Sequence, residues 1–391
     1  MASNVLTIEQ SRVRTGMYGL ALYCLGHFFI DLYSAAMGAF QPLFHDRLHF
    51  SLTQAGFLGG MMVFSGSFVQ PAYGILSDRF HSRMFSVLAP AVAGIFISCL
   101  GLATNVWTAA LLIFLGGAGV ASFHPQASAR ATLGIETNRG RWMAVFISTG
   151  SLGLAFGPTY YTSITQTWGM ERSWIGSIPG LIVTGMMLLW IREPAVPEHH
   201  RKFNFEPLRA VQGTLALLAV LVVLRSAIQM VFGQFLPLYL IKERGFTPIA
   251  AAGALSLFQA AGAFGGFMGG YSTDRFGGRR VIIWSMIGSV PFLCLFFFGS
   301  GVLSMIGLGL GGLILLFTVP VIVLMGQMLA PKAAGTVSAL MMGFAWGFAG
   351  LIFVPLIGAL SDRLSMQTTM SAMIVLPIIG FFLALRLPHT K

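Results

Sequence analysis

Gly74-Ile75-Leu76-Ser77-Asp78-Arg79-Phe80-His81-Ser82-Arg83 returns 196 residues later as Gly270-Tyr271-Ser272-Thr273-Asp274-Arg275-Phe276-Gly277-Gly278-Arg279. That offset is half of a 391-residue chain. Phe40-Gln41-Pro42-Leu43 likewise returns as Phe235-Leu236-Pro237-Leu238. Gly150, Gly153 and Pro158 return with the same spacing as Gly347, Gly350 and Pro355. Landmarks recurring in one order at offsets of 195 to 197 mark an internal duplication, so the chain is written twice.

The composition says what is duplicated. Hydrophobic residues make up 56% of the chain and charged residues only 9%, with 48 glycines and 34 phenylalanines. A soluble domain carries about 25% charged residues, because its surface faces water. Soluble enzymes and nucleic-acid binders are therefore excluded, and the class is integral membrane protein. A span needs about 20 mostly apolar residues. Twelve segments qualify, at approximately 16–44, 54–77, 84–103, 107–130, 141–165, 174–191, 212–241, 248–272, 281–300, 302–330, 335–361 and 367–387. None alternates with the period of two that a barrel strand needs, so the fold is expected to be an all-α integral membrane bundle. No small-residue cleavage site follows a short apolar core near the start, so the first span is expected to be an uncleaved anchor.

The formal net charge of +11 is read by where the cations lie. With an inside N-terminus, 17 Lys and Arg fall in cytoplasmic segments, 5 in outer loops, and Arg225 inside a span. Lys and Arg are retained on the cytoplasmic side, so both termini are expected there. The charge is then a sidedness label rather than a nucleic-acid patch. Cys24, Cys99 and Cys294 fall inside spans and read as small apolar packers, with no disulfide framework or metal spacing.

Two six-span halves in one orientation form a parallel repeat. The expected domains are an N-terminal bundle over 1–191, a cytoplasmic linker over 192–211 and a C-terminal bundle over 212–391. The linker carries Pro194, Pro197, His199, His200 and Pro207. The motif Gly-x-x-x-Asp-Arg-Phe-x-x-Arg after the second and eighth spans resembles the cytoplasmic loop signature of the major facilitator superfamily. The resemblance implies twelve transmembrane helices in two pseudo-symmetric bundles, a multi-pass protein of the bacterial inner membrane, and a monomer. Gly74 and Gly270 are expected to allow close helix contact. Asp78 and Asp274 can pair with an arginine or a helix N-terminus, and Arg79, Arg83, Arg275 and Arg279 complete a gate latch. A third match, Gly358-Ala359-Leu360-Ser361-Asp362-Arg363, ends the eleventh span on the outer side without the later arginine. It is read as a cap rather than a gate.

A narrower resemblance is carried by Gly116-Gly117-Ala118-Gly119-Val120-Ala121-Ser122-Phe123-His124-Pro125-Gln126-Ala127-Ser128. It is similar to the Phe-His-Pro-Glu-Ser-Ser segment of the fosmidomycin-resistance branch. His27-Phe28-Phe29-Ile30-Asp31 is similar to that branch's His-x-x-Asn-Asp, and Gly343-Phe344-Ala345-Trp346-Gly347-Phe348-Ala349-Gly350 to its span-eleven glycine motif. The chain departs from the branch at Gln126, where a Glu is usual, at Ile30, where an Asn is usual, and at Arg130, which lies one position late. These changes leave the substrate free to differ from the phosphonate antibiotic that names the branch. Gly153-Leu154-Ala155-Phe156-Gly157-Pro158 resembles the core of an antiporter motif without its trailing glycines. It reads equally as helix packing, in company with Gly347, Gly350 and Pro355.

An ionised side chain at the bilayer centre costs about 2.5–3.5 kcal/mol on insertion scales, so each one calls for a reason. Asp31, His27, His124 and Arg225 are the groups that fall deep in spans. His27 and Asp31 share a helix face, with Tyr23 near it, and Arg225 shares one with Gln229. These two stripes lie on repeat-equivalent spans, and in this superfamily the first span of each half lines the central cavity. Asp31 with His27 is then expected to couple protons. Arg225, Gln229, Tyr23, His124 and Gln126 are expected to contact substrate. Arg225 reads either as the substrate's anchor or as the resting counterion of Asp31, and a purely structural Asp31 pair is the other reading.

Gly307-x-Gly309-x-x-Gly312 formally matches a nucleotide loop, but no strand precedes it, so it is read as helix packing. Glu198, His199 and His200 read as solvated linker. No cofactor is expected and no enzyme activity. The partners are a small-molecule substrate, protons and membrane lipid. The expected function is proton-coupled export of a small antibiotic-like or organic-anion solute. An importer or facilitator of a small organic anion, and a transporter-like sensor, are the alternatives.

Overall fold

A computed structural model of the chain describes residues 2–80, 82–135, 137–191 and 209–388. Most of the linker, with His199 and His200, lies outside the described residues. The rest is helical, with no strand among the described residues. The expected bundle is borne out. We name its long helices α1 (Gly16–Leu48), α2 (Leu52–Ser77), α3 (Met84–Leu102), α4 (Val106–Arg130), α5 (Arg139–Trp168) and α6 (Met170–Trp190). The second half repeats them as α7 (Gln212–Arg244), α8 (Pro248–Phe276), α9 (Gly278–Phe298), α10 (Gly301–Leu329), α11 (Thr336–Ser361) and α12 (Met366–Ala384). Eleven are long and apolar enough to cross a membrane. The other, α5, has 30 residues and takes the place of the fifth expected span.

Helices suit lipid because each backbone N–H finds its acceptor within the same segment. Their starts are marked by side-chain caps. Ser51 and Gln54 form a reciprocal capping box at α2, and Asn105 and Thr108 form another at α4. Several helices are interrupted, among them α1, α2 and α11. The main helix of α1 ends at Ser34 and resumes at Met37. A π-helical turn occupies Phe64–Phe68 in α2, and a second occupies Ala339–Ala345 in α11.

The described residues pack as two compact units. One comprises Met1–Ala36 with Ser65–His200, the other Met37–Phe64 with Arg201–Lys391. The chain changes unit at the break in α1 and at the π turn in α2, where regular helical hydrogen bonding lapses.

In the first unit α5 lies against α1 with almost no space between backbones. A Cβ added at Gly153 would sit 2.1 Å from the Phe28 carbonyl oxygen, and one at Gly157 would sit 2.4 Å from that of Leu32. Several buried hydroxyls in this unit are paired. The Tyr33 hydroxyl accepts from Gly180 N–H at 2.8 Å and donates to the Gly176 carbonyl at 3.2 Å. Ser98 and Tyr161 join hydroxyls at 2.7 Å.

The glycines of the repeated motif behave differently from expectation. At Gly74 a Cβ would meet Pro125 at 3.6 Å, and at Gly270 it would meet Pro320 at 3.9 Å. Both are ordinary van der Waals contacts, so neither glycine is demanded by close approach. The tight crossing on α8 is one residue earlier, where a Cβ at Gly269 would lie 2.1 Å from the Phe317 oxygen. The two contacts are nonetheless repeat-related, because Pro125 and Pro320 occupy matching places in the two halves.

In the second unit the segment Met37–Phe64 packs on α11. A Cβ at Gly358 would lie 2.4 Å from the Leu52 oxygen and 3.0 Å from Gly56 Cα. Asp362, one residue past α11, accepts hydrogen bonds from Leu52 N–H at 2.9 Å and Thr53 N–H at 2.8 Å, and also from the Thr53 hydroxyl. The expected cap is therefore present, but it caps the start of α2 rather than its own helix. Glu243 does the same for α12, accepting from Met366 N–H at 2.7 Å and Gln367 N–H at 2.8 Å. Beside it the Arg244 guanidinium donates to the carbonyls of Phe297 and Gly299 at 3.2 and 2.7 Å, closing the end of α9. Lys242 pairs with Asp46.

Burial raises the pKa of Asp362, but the hydrogen bonds from Thr53, Leu52 and Ser51 outweigh it and hold the carboxyl below its usual value. A lowered carboxylate pKa gives stabilisation that is full above the unfolded value and lost as pH falls through the folded one. Asp362→Ala is therefore expected to destabilise by about 1 kcal/mol at neutral pH, as for a lost helix cap. Thermal unfolding checks this, and the gap between variant and wild type should close in acid.

Candidate functional site

His27 and Asp31 lie one turn apart on α1, and α4 brings His124 to the same place. The His27 Nε2 is 3.4 Å from Asp31 Oδ2, and the His124 Nε2 is 3.2 Å from Asp31 Oδ1. One imidazole thus faces each oxygen of a single carboxylate. The group is largely enclosed, with side-chain exposures of 8% for His27, 13% for Asp31 and 26% for His124.

The orientation of both rings is set by backbone. The His27 Nδ1 lies 2.8 Å from the Phe146 carbonyl oxygen on α5, and the His124 Nδ1 lies 2.9 Å from that of Val120. A carbonyl oxygen only accepts, so each Nδ1 carries a hydrogen. Each Nε2 then meets the carboxylate with a lone pair unless a positive charge comes between them. The cluster is thus built to receive a cation, the simplest being a proton. Packing reinforces the ring positions. His27 stacks on Phe146 with centroids 4.3 Å apart and meets His124 edge-on at 5.2 Å.

Gly150 on α5 completes the site. A Cβ there would fall 2.4 Å from both Asp31 Oδ2 and His27 Nε2. Its place in the repeat identified it as a landmark, but only the folded structure assigns it to this cluster. Phe146 was missed altogether, because its polar contribution is a backbone carbonyl that any residue supplies, and its ring is one of many phenylalanines in apolar spans.

The other expected contact residues are distributed as follows. Tyr23 is buried one turn before His27, with its ring 6.4 Å from Phe123. Gln126 is not in the cluster. Its Oε1 accepts from Ser86 N–H at 2.9 Å, and its Nε2 donates to the Ser82 carbonyl at 2.7 Å, so it fastens the entry to α3 onto α4.

In the second unit Arg225 is 4% exposed and donates from Nη1 to Gln229 Oε1 at 2.9 Å. Its Nε has no hydrogen-bond partner among the described residues. The planar fork of a guanidinium matches the geometry of a carboxylate or phosphate.

Of the motif residues, the side chain of Asp78 lies outside the described residues. Arg79, Asp274 and Arg275 are exposed. Arg275 sits over the Phe276 ring at 5.4 Å, Arg83 is half-buried, and Arg279 donates to the Leu385 carbonyl at 2.8 Å. Gly347 and Gly350 are buried on α11, and a Cβ at Gly350 would meet Val63 at 2.8 Å. Pro355 lies where a Cβ on Gly60 would meet its ring at 2.8 Å. Pro158 is inside α5.

Comparison with known proteins agrees with this architecture. The chain is 28% identical over 376 residues to the uncharacterized MFS-type transporter YfnC of Bacillus subtilis, covering 93% of this chain and 91% of that one. It is 24% identical to the fosmidomycin resistance protein of Escherichia coli, covering 97% and 95%. The crystal structure of a bacterial homologue of the human lysosomal transporter Spinster, inward-facing and occupied, has the same fold at a TM-score of 0.82. It shares 14% identity, with 95% of this chain and 97% of that one covered. Residues 23–354 match the Major Facilitator Superfamily. With twelve long helices among the described residues, an internal duplication and that match across most of its length, the chain belongs to the Major Facilitator Superfamily of multi-pass membrane transporters.

Proposed function

We propose that the chain is a proton-coupled secondary transporter that exports a small antibiotic-like or organic-anion solute by alternating access. The observation that carries this reading is the Asp31 carboxylate held between two imidazoles whose Nδ1 positions are already committed to carbonyls. Without a proton such a group holds an uncompensated carboxylate, and one added proton makes it neutral overall, so its charge at membrane depth turns on that proton. Arg225 anchors the solute. Its guanidinium keeps its charge and offers a flat fork suited to a carboxylate or phosphonate. The resemblance to the fosmidomycin resistance protein supports export of an anionic, antibiotic-like compound.

In this reading Asp31 and His27 load the proton, with His124 taking part from α4. Arg225, Gln229 and Tyr23 line the solute's path. The repeated loop motif latches the cytoplasmic side through Asp78, Arg79, Arg83, Asp274, Arg275 and Arg279. The 17-to-5 bias of Lys and Arg supports cytoplasmic termini. The protein works as a monomer in the bacterial inner membrane, with 1–191 and 212–391 as its two repeat halves.

Proteoliposomes with an imposed pH gradient test the reading against a panel of phosphonates, carboxylates and lipophilic cations. Asp31→Asn is expected to abolish gradient-driven flux while counterflow exchange continues. Gradient-driven flux that survives Asp31→Asn would refute the coupling role. Flux independent of the gradient marks a facilitator, inward accumulation an importer, and binding without flux a sensor.

Arg225→Lys keeps the charge but loses the fork. It is expected to raise KM for anionic solutes roughly tenfold or more, the cost of a lost charged hydrogen bond, with little change in maximal exchange rate. Counterflow measured over a range of solute concentrations reads this out directly.

A further inference from the structure

The three groups around Asp31 are donors of another kind as well. His27, Asp31 and His124 each offer a ligand atom, and these atoms all lie within 4.8 Å of one another. Their separations of 3.4 and 3.2 Å are longer than charge-assisted N–H···O bonds, which run about 2.7–2.9 Å. Each is close to the edge, about 3.3–3.4 Å, of a tetrahedron around an ion held at about 2.0–2.1 Å, with the two imidazoles facing different oxygens of the one carboxylate.

Both rings carry the support that metal-bound histidines need. Each Nδ1–H is donated to a backbone carbonyl, leaving Nε2 as the coordinating atom with its tautomer fixed. Gly150 keeps that side clear, since a Cβ would fall 2.4 Å from two of the three donors. His124 is the most exposed of the three and leaves a side open for a further ligand. Two imidazoles and one carboxylate form a nitrogen-rich set, suited to zinc, cobalt or nickel and not to magnesium or calcium.

We propose that His27, Asp31 and His124 bind one divalent transition-metal ion of the zinc class, with a coordination position left open on the His124 side. Binding itself stands on this geometry alone. Its consequence rests on the coupling reading above, because an ion on these atoms occupies the place of the transported proton. Zinc is then an inhibitor of gradient-driven flux.

The purified full-length chain is titrated with Zn2+ by equilibrium dialysis and with Co2+ by visible absorption. The expected result is one equivalent per chain, with the ligand-field bands of a low-coordinate nitrogen–oxygen site. Loss of one supporting outer-shell partner typically costs 10–100-fold in affinity, so loss of a ligand should cost at least roughly tenfold. Asp31→Asn, His124→Gln and Gly150→Ala are each expected to show that loss, with unchanged thermal unfolding for at least one of them. A double substitution, His199→Ala with His200→Ala, should leave the site intact. No saturable binding, or binding that survives all three site variants, overturns the proposal. Binding removed by the double substitution alone overturns it too. The two readings separate cleanly. If Asp31→Asn loses metal but keeps gradient-driven flux, the coupling reading fails and the metal site stands. If Asp31→Asn loses that flux and the wild type binds no metal, the metal site fails and the coupling reading stands.

Discussion

A carboxylate placed at membrane depth must find compensating charge or hydrogen within a few ångströms, because lipid supplies neither. The arrangement around Asp31 follows from that requirement. Two imidazoles face its two oxygens, and two backbone carbonyls orient those imidazoles. One carbonyl comes from α5, so α5 must lie close to α1. Gly150, Gly153 and Gly157 make that approach possible, with the last two bringing Cα-level contact against Phe28 and Leu32. The tight helix pair is thus not incidental packing beside the cluster. It is the means by which the Phe146 carbonyl reaches His27.

The same need to satisfy polar groups governs the helix ends of the second unit. An unfilled N-terminal turn carries free N–H groups and a partial positive charge. Asp362 and Glu243 each supply a carboxylate to such a turn, one from beyond α11 to α2 and the other from α7 to α12. Arg244 answers the opposite problem, donating to the carbonyls left over where α9 ends. These contacts join segments far apart in sequence. The Asp362 contacts, with the Lys242–Asp46 pair, tie Met37–Phe64, which belongs to the first half by repeat, into the second compact unit.

Much of the fold is legible in the sequence. Helix number came from hydropathy and duplication from the recurring motif. His27 and Asp31 were legible as a pair because a spacing of four puts two side chains on one helix face. His124 was legible only as a buried ionisable group, with nothing in its local sequence to name its partner. Gly74 and Gly270 show the limit of motif reading: their repeat symmetry is real, yet both make loose contacts with Pro125 and Pro320, and the tight glycine on α8 is Gly269. Gln126 shows another limit. Its position in a substrate-like segment gave no sign that both ends of its amide are taken up by Ser82 and Ser86.

What the sequence by itself determined is what composition and period encode: a lipid-embedded helical bundle, built twice, with Lys and Arg biased to alternate loops. Those properties are additive along the chain, so each segment declares its own share. Tertiary structure alone decided which ionisable groups meet, which helices touch backbone to backbone, and where the chain passes from one compact unit to the other. The reason is physical. A contact such as His124 with Asp31 depends on the crossing of two helices and on a glycine in a third, and no window of sequence contains all three.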